Sequence, residues 1–391
     1  MVTPPSPGPG QGRQPAPGAL PPRNRVTQRK RKRPGFWAWL LRLFVVGIVV
    51  FAAFLAWFFL TPSGNSWRYR AADTLITTQH RHWAKYLIGQ KGLEERVAEY
   101  MKQFEAMGEE RQNTEIQLPG KDGGKDVNAA GSSADQPLTS IEEVDGKGFH
   151  GFVLTVTDPT KVRLVVPNKV GRGELVGSMV KRTGALAGVN AGGFADPNWQ
   201  GNGFQPIGLV ITQGKIYYNG LGSDKSVQIV GLDKQGKMIA GRYSIKELLN
   251  LGISEAVSFE PRLIVNGKGL IKNHASGWGI APRTVMAQRE DGAILFLVID
   301  GRQPGYSIGA DLYDCQQILL ERGAVIAANL DGGSSSILVT EGGDIMNKPS
   351  SKSGKGRYLP TAFLVFDHPE SVQVPNIWAG LKPGDIDASK W

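Results

Sequence analysis

The chain has 391 residues, with 45 Lys+Arg against 35 Asp+Glu and a formal net charge of +10. Nine of the basic residues lie in residues 1–42, which hold no Asp or Glu, so residues 43–391 carry a net charge of only +1. That near-neutrality excludes a broad basic surface for nucleic acid on the bulk of the chain. The single cysteine, Cys315, excludes an intramolecular disulfide and a Cys-rich metal site.

The elements follow in chain order. Residues 1–35 hold Pro4, Pro5, Pro7, Pro9, Pro15, Pro17, Pro21 and Pro22, then the cluster Arg29–Arg33. Such a segment has too little apolar bulk to offset its chain entropy, which predicts a disordered basic tail. From Leu43 to Leu60 no residue is charged, and Phe36–Leu41 extends the run across Arg42. About 20 apolar residues span a hydrocarbon core, so 36–60 reads as a transmembrane helix. Trp37, Trp39, Trp57 and Trp67 stand where interfacial aromatics are expected. The charge asymmetry predicts a cytoplasmic N-terminus and an extracytoplasmic remainder, a single-pass, N-in/C-out cell-membrane topology. A signal-peptide reading is weaker, because the run is long and no Ala-x-Ala follows it.

Residues 61–112 read as a helical membrane-proximal region. Leu93, Val97, Tyr100, Met101, Phe104 and Met107 recur at three- and four-residue spacing. Gly89 and Gly92 are expected to divide it into two helices. A stalk and a hairpin packed on the next domain both fit. Residues 113–137, rich in Gly, Ser, Asp and Lys, predict a flexible linker. From about Leu138 to 370, short β-branched runs alternate with turn signals such as Gln213-Gly214, Asn266-Gly267 and Asp291-Gly292. Helices are predicted over Ser244–Leu251 and Asp311–Arg322, the second stopped by Gly323. The expected fold class is α/β mixed (α+β): largely antiparallel mixed sheets with a few helices, preceded by a single transmembrane helix and a helical stalk. Residues 371–391 read as a C-terminal tail.

Four segments end apolar runs in polar groups and glycine: Asn190-Ala-Gly-Gly193-Phe194, Pro282-Arg283-Thr284, Asp300-Gly301-Arg302 and Asn329-Leu330-Asp331-Gly332-Gly333-Ser334-Ser335. Each alone could be a turn. Together, two acids, two arginines and Gly/Ser loops suit an anionic, polyhydroxylated ligand. None matches a P-loop, a zinc motif or a nucleophile elbow.

With the Gly-Leu-Val-Ile run at 208–211 and Asn347-Lys-Pro349-Ser350, these segments resemble, in order, the phosphodiester glycosidase domain family, over about residues 138–367. Many bacterial members of that family are exopolysaccharide-related. The resemblance implies a hydrolase that releases a sugar from its phosphate. Two departures stand out. The family often carries a third glycine where this chain has Ser334, and its mammalian members depend on disulfides.

The expected roles are these. Asp300 and Asp331 are the candidate catalytic carboxylates. Arg283 and Arg302 are candidates for phosphate, because guanidinium binds it bidentately. The amides of Gly332, Gly333 and Ser334 would assist. Asn190, Gly193, Phe194, Glu260 and Ser335 complete the expected substrate contacts, with Asn190 and Glu260 on sugar hydroxyls. No cofactor is expected, and ligand spacing does not support a divalent cation. The expected partners are the membrane and a glycan or sugar-phosphate substrate, with no nucleic acid. The enzyme reading places the chain in envelope or exopolysaccharide metabolism. The alternative is a non-catalytic glycan-binding or assembly protein of the cell envelope.

Overall fold

The computed structural model describes residues 2–3, 35–78, 80–118, 137–197, 200–222 and 225–387. The Pro-rich basic segment and residues 119–136 of the expected linker lie outside them. The chain divides into two units, Met1–Trp57 and Phe58–Trp391. The first is dominated by α1 (Phe36–Leu60), a 25-residue helix with no buried residue. It is long and apolar enough to cross a membrane, by length and composition. A signal sequence near an N-terminus has the same character.

The second unit opens with α2 (Pro62–Ile76), capped by the Thr61 side chain, and α3 (Lys85–Glu109). The break between them falls at Thr77–Ala84, which ends in a 3-10 turn at Arg81–Ala84. The backbone at Gly89 is non-helical (φ 77°, ψ 165°), so Lys85–Glu109 is two helical pieces meeting at a kink there, which is the expected division; Gly92 lies within the second piece. The two helices are clasped by a bidentate pair, Arg96 Nε to Asp73 Oδ1 and Nη2 to Oδ2, both at 2.9 Å. Of the two readings of this region, the packed hairpin is the one found. Ala72, Ile76, Ala84, Leu93 and Tyr100 are buried in one core cluster with the sheet domain.

Three antiparallel sheets form the rest. The first has seven strands, in the order 139–146, 149–156, 294–299, 283–289, 324–329, 262–265 and 268–269. The second has four: 338–340, 187–190, 362–365 and 162–165. The third has five: 215–219, 209–212, 253–258, 227–233 and 238–243. Side chains alternate across a strand, and the seven-stranded sheet buries both faces accordingly. Ile294, Phe296 and Val298 enter a core shared with the other sheets. Leu295, Leu297 and Ile299 face the cluster that holds α2 and α3.

The remaining helices are α4 (Val176–Thr183), α5 (Ile245–Asn250), α6 (Leu312–Glu321) and the short α7 (Pro383–Ile386). The two expected helices, α5 and α6, are in place. Ser244 and Glu247 form a capping box on α5, and Asp311 and Asp314 form one on α6. The turn at Asn266-Gly267 has positive φ at both residues, 52° and 70°, as a tight hairpin of this type requires. Two readings change. Asn113 and Thr114 donate their amides to Asn266 Oδ1, so the start of the expected linker is seated on the domain. Val374, Ile377, Trp378 and Ile386 of the expected tail are buried in the main core.

Register places the motifs together. Arg283 opens its strand opposite Ile299, the residue before Asp300. Asn329 closes its strand opposite Val285. Arg283, Asp300-Gly301-Arg302 and Asn329-Leu330-Asp331 therefore gather at one end of the seven-stranded sheet.

Candidate active site

That end opens into a cleft of about 720 Å³. Arg283, Arg302, Asn329, Asp331 and Gly332–Ser335 form one wall, with Phe259, Glu260 and Pro261 beside them. The opposite wall is helical, from Thr74–Thr78 of α2 and its connection and from Val97, Tyr100, Met101 and Phe104 of α3.

Asp331 is the central carboxylate. It is half-buried. Desolvation pushes its pKa up to about 6, against the opposing pull of the Ser335 hydroxyl, Arg357, the Gly332 amide and Arg302. A buried carboxylate loses hydration that neighbouring charges only partly replace. Its backbone is pinned: the amide donates to Ala191 O at 3.0 Å, and the carbonyl accepts from Asn190 Nδ2 at 2.5 Å. Glu260 is the second carboxyl on the cleft. Burial raises its pKa, aided by the Glu105 charge and opposed by Arg242 and a bond from Gln228.

Two arginines present charge. Arg302 sits at positive φ, 61°, on the exposed rim. Burial of its guanidinium and the nearby Arg357 charge lower its pKa, while Asp331 opposes them. Gly333, at φ 63°, makes room for it: a Cβ there would come 3.1 Å from Arg302 Nη2. Arg357 bonds Asp196 at 2.6 Å, and its guanidinium carbon lies 4.6 Å from the centre of the Phe194 ring.

Not every expected residue reaches the cleft. Asp300, 1% exposed, does not line it. Its carboxylate accepts from Tyr306 Oη, Asn347 Nδ2 and the Lys348 amide, at 2.8–3.0 Å. That saturation fits an internal anchor, and it corrects the expectation of a second reacting carboxylate there. Asn190 is also internal. Its Oδ1 accepts from the Thr284 hydroxyl at 2.8 Å and from the Ile337 amide at 3.1 Å, so it faces the interior and not the cleft where a sugar contact was expected. Gly193 and Phe194 stand behind the wall: a Cβ on Gly193 would come 3.2 Å from Phe259, and Phe194 carries Arg357 on its face. Arg283 does line the cleft, but Nε and Nη2 are taken by the carbonyls of Ala310, Trp278 and Gly279. The Gly333 amide donates to Pro282 O and the Gly332 amide to Asp331, so of the three expected anion-binding amides only Ser334's takes no part in these bonds.

Arg357 was missed because the motif containing Asn347-Lys-Pro349-Ser350 stops short of it. Asn329 and Trp278 were missed too. Asn329 lies inside a quoted motif, and its position two residues before Asp331 at a strand end was the available signal. Both are buried, at 6% and 1% exposure, and line the cleft with one polar atom unpaired, Asn329 Oδ1 and Trp278 Nε1. His274, Asp311 and Asp314 come together at the N-terminus of α6, with His274 Nδ1 at 2.9 Å from Asp311 Oδ2. The capping box on α6 occupies both acids.

Comparison with known proteins bears on the family and the fold. Residues 183–366 match the family model for phosphodiester glycosidase. The chain is 29% identical over 197 residues to the SPbeta prophage-derived uncharacterized protein YomE of Bacillus subtilis (strain 168), across 49% of this chain and 29% of that protein. It thus spans less than a third of that relative's length. Among solved structures, it resembles the catalytic domain of zebrafish N-acetylglucosamine-1-phosphodiester alpha-N-acetylglucosaminidase, auto-inhibited by pro-peptide. That match has a TM-score of 0.51 at 21% identity and covers 66% of this chain and 88% of that one. A hypothetical protein from Synechocystis aligns at a TM-score of 0.45 and 18% identity, over 60% and 65% of the two chains. The zebrafish likeness is one of fold.

Proposed function

We propose that this chain, which carries a phosphodiester glycosidase domain over residues 183–366, hydrolyses a sugar-1-phosphodiester in the cleft and releases the sugar from its phosphate. The observation that carries the reading is Asp331: a carboxyl held near pKa 6 on the cleft wall, within the fields of Arg302 and Arg357.

The chemistry needs little acid help, because phosphate is a good leaving group with a second pKa of about 6. It needs a carboxylate to activate water or attack the anomeric carbon, charge stabilisation on phosphate, and grip on the sugar. Asp331 is the carboxylate, and a pKa near the working pH keeps it both ionised and basic. Arg302 and the Ser334 amide bind phosphate, with Arg357 adding positive field. Glu260 is the second carboxyl. Asn190 and Asp300 act from behind the wall, as positioning residues.

Helix α1 anchors the chain in the cell membrane, with the polybasic segment on the cytoplasmic side and the catalytic unit outside. An envelope or exopolysaccharide glycan is the substrate this location provides. The test is direct: full-length protein and its Asp331→Asn variant are incubated with a panel of sugar-1-phosphodiesters, and free sugar is assayed. Wild type should release sugar and the variant should not. Equal release across the panel would remove the enzymatic reading in favour of glycan binding. Protease applied to intact cells should remove the C-terminal unit, and full protection would reverse the topology.

A further inference from the structure

The helical wall lies outside the matched domain, since α2 and α3 precede residue 183. Yet it closes the same cleft as Asp331. On α3, Val97, Tyr100, Met101 and Phe104 have i, i+3, i+4, i+7 spacing and all line the cleft. Such a stripe normally disappears into a core. Here Met101 remains 45% exposed, while Val97, Phe104 and Phe259 are only partly buried. Opposite them stand Arg302, Arg357 and the 332–335 loop. The cleft is therefore amphiphilic: anion-binding groups stand on one side, and on the other the α3 stripe gives aliphatic, aromatic and thioether surface next to the polar Thr74, Thr77, Thr78, His80 and Arg81 of α2 and its connection.

A pyranose is a poor fit for the α3 stripe. It offers hydroxyls, and the Tyr100 hydroxyl already accepts from Arg96 at 3.0 Å. The aromatic face best suited to stack a sugar, Trp278, is 1% exposed and covered edge-on by Phe104 at 4.7 Å. Flexible Met and aliphatic side chains adapt to an alkyl chain instead. In sequence, α2 follows the apolar helix after the single residue Thr61.

Resting on the hydrolase reading above, we infer that the α3 stripe binds the alcohol half of the diester and that this alcohol is apolar: the substrate class is a glycosyl phosphodiester of a long-chain alcohol. The step balances. Water supplies hydroxyl to the anomeric carbon, the carbon–oxygen bond to phosphate breaks with its electron pair going to the phosphate oxygen, and Asp331 takes the proton. The products are the free sugar and an alkyl phosphate.

The test uses the full chain in lipid nanodiscs with methyl, butyl and hexyl diesters of one sugar-1-phosphate. Each fully buried methylene is worth roughly fourfold, so the hexyl diester should exceed the methyl diester at least tenfold in kcat/KM, mostly through KM. Met101→Gln should collapse that ratio toward one, while Lys102→Gln, on an exposed position outside the cleft, should keep it. A parallel arm measures calorimetric binding of hexyl phosphate against methyl phosphate, which needs no turnover. If no diester is cleaved but hexyl phosphate still binds at least tenfold tighter in a Met101-dependent way, the hydrolase reading fails and the apolar subsite stands. A flat chain-length series in wild type, in both arms, overturns the inference without recourse to any variant. So does a preference that Met101→Gln leaves intact.

Discussion

Asn190 donates from Nδ2 to the backbone carbonyl of Asp331 at 2.5 Å, while its Oδ1 holds the Thr284 hydroxyl and the Ile337 amide. One buried amide thus ties the four-stranded sheet to the seven-stranded one at the residue proposed for chemistry. Its effect on Asp331 runs through the backbone, because no atom of Asn190 lines the cleft. Replacing it with alanine strands two buried donors and one acceptor. An unmade buried bond costs about 1–3 kcal/mol, so Asn190→Ala should lower stability by roughly 2–4 kcal/mol and depress kcat more than it raises KM. Urea denaturation beside steady-state kinetics checks both, and an unchanged midpoint would show that the clamp is dispensable.

Asp331 predicts the pH profile. A base must be deprotonated, so kcat/KM should rise through an apparent pKa of about 6. Ser335 bonds the ionised form and Arg357 stabilises its charge. Ser335→Ala and Arg357→Gln should each move that limb to higher pH. A limb that stays in place in both variants would assign the titration to another group.

The same residue predicts a stability signature. Its folded pKa lies above the usual 3.8, so between the two values the unfolded chain releases a proton that the folded chain keeps. Stability must then fall as pH rises from about 4 to about 6 and level off above that. Asp331→Asn should remove this slope and raise the melting temperature at pH 7. A variant that melts lower than wild type at pH 7 would contradict the desolvation account.

Asp300 should behave in the opposite way. Its carboxylate accepts from Tyr306, Asn347 and the Lys348 amide. An isosteric Asn turns an amino group toward donors, so Asp300→Asn should destabilise the fold by about 2–4 kcal/mol. If Asp300→Asn melts like wild type and is nonetheless inactive, Asp300 has a chemical role after all.

The Arg302 amide donates to Ile308 O, but its side chain makes no hydrogen bond or ion pair among the described residues, so Arg302→Gln should leave the melting temperature unchanged. Loss of a charge-assisted contact to phosphate is worth about 1.5–3 kcal/mol, which lowers kcat/KM roughly 10- to 150-fold. Arg302→Lys should recover only part, because an ammonium lacks the bidentate fork. Full activity in Arg302→Gln would move the phosphate site elsewhere on the cleft.

Whatever depends on neighbouring residues is legible in the amino-acid order. The apolar run 36–60, the helices that start at Ser244 and Asp311 and the turn at Asn266-Gly267 are local physics, and the structure forms each of them. The amino-acid order also located the strand-end motifs, because polar groups that stop an apolar strand stand out against its period. Tertiary structure decided which member of each motif faces the cleft. Asp300 and Asp331 look alike in sequence. Strand register, the Asn347 side chain and the Lys348 amide bury one in a saturated network, while the 332–335 loop leaves the other on the cleft wall. Arg357 joins the site from beyond the last motif, and the α3 stripe from more than two hundred residues before Asp331, through sheet pairing and helix packing. The stripe was visible as a helix face, but what covers it and what it covers are long-range contacts, and periodicity carries no record of those.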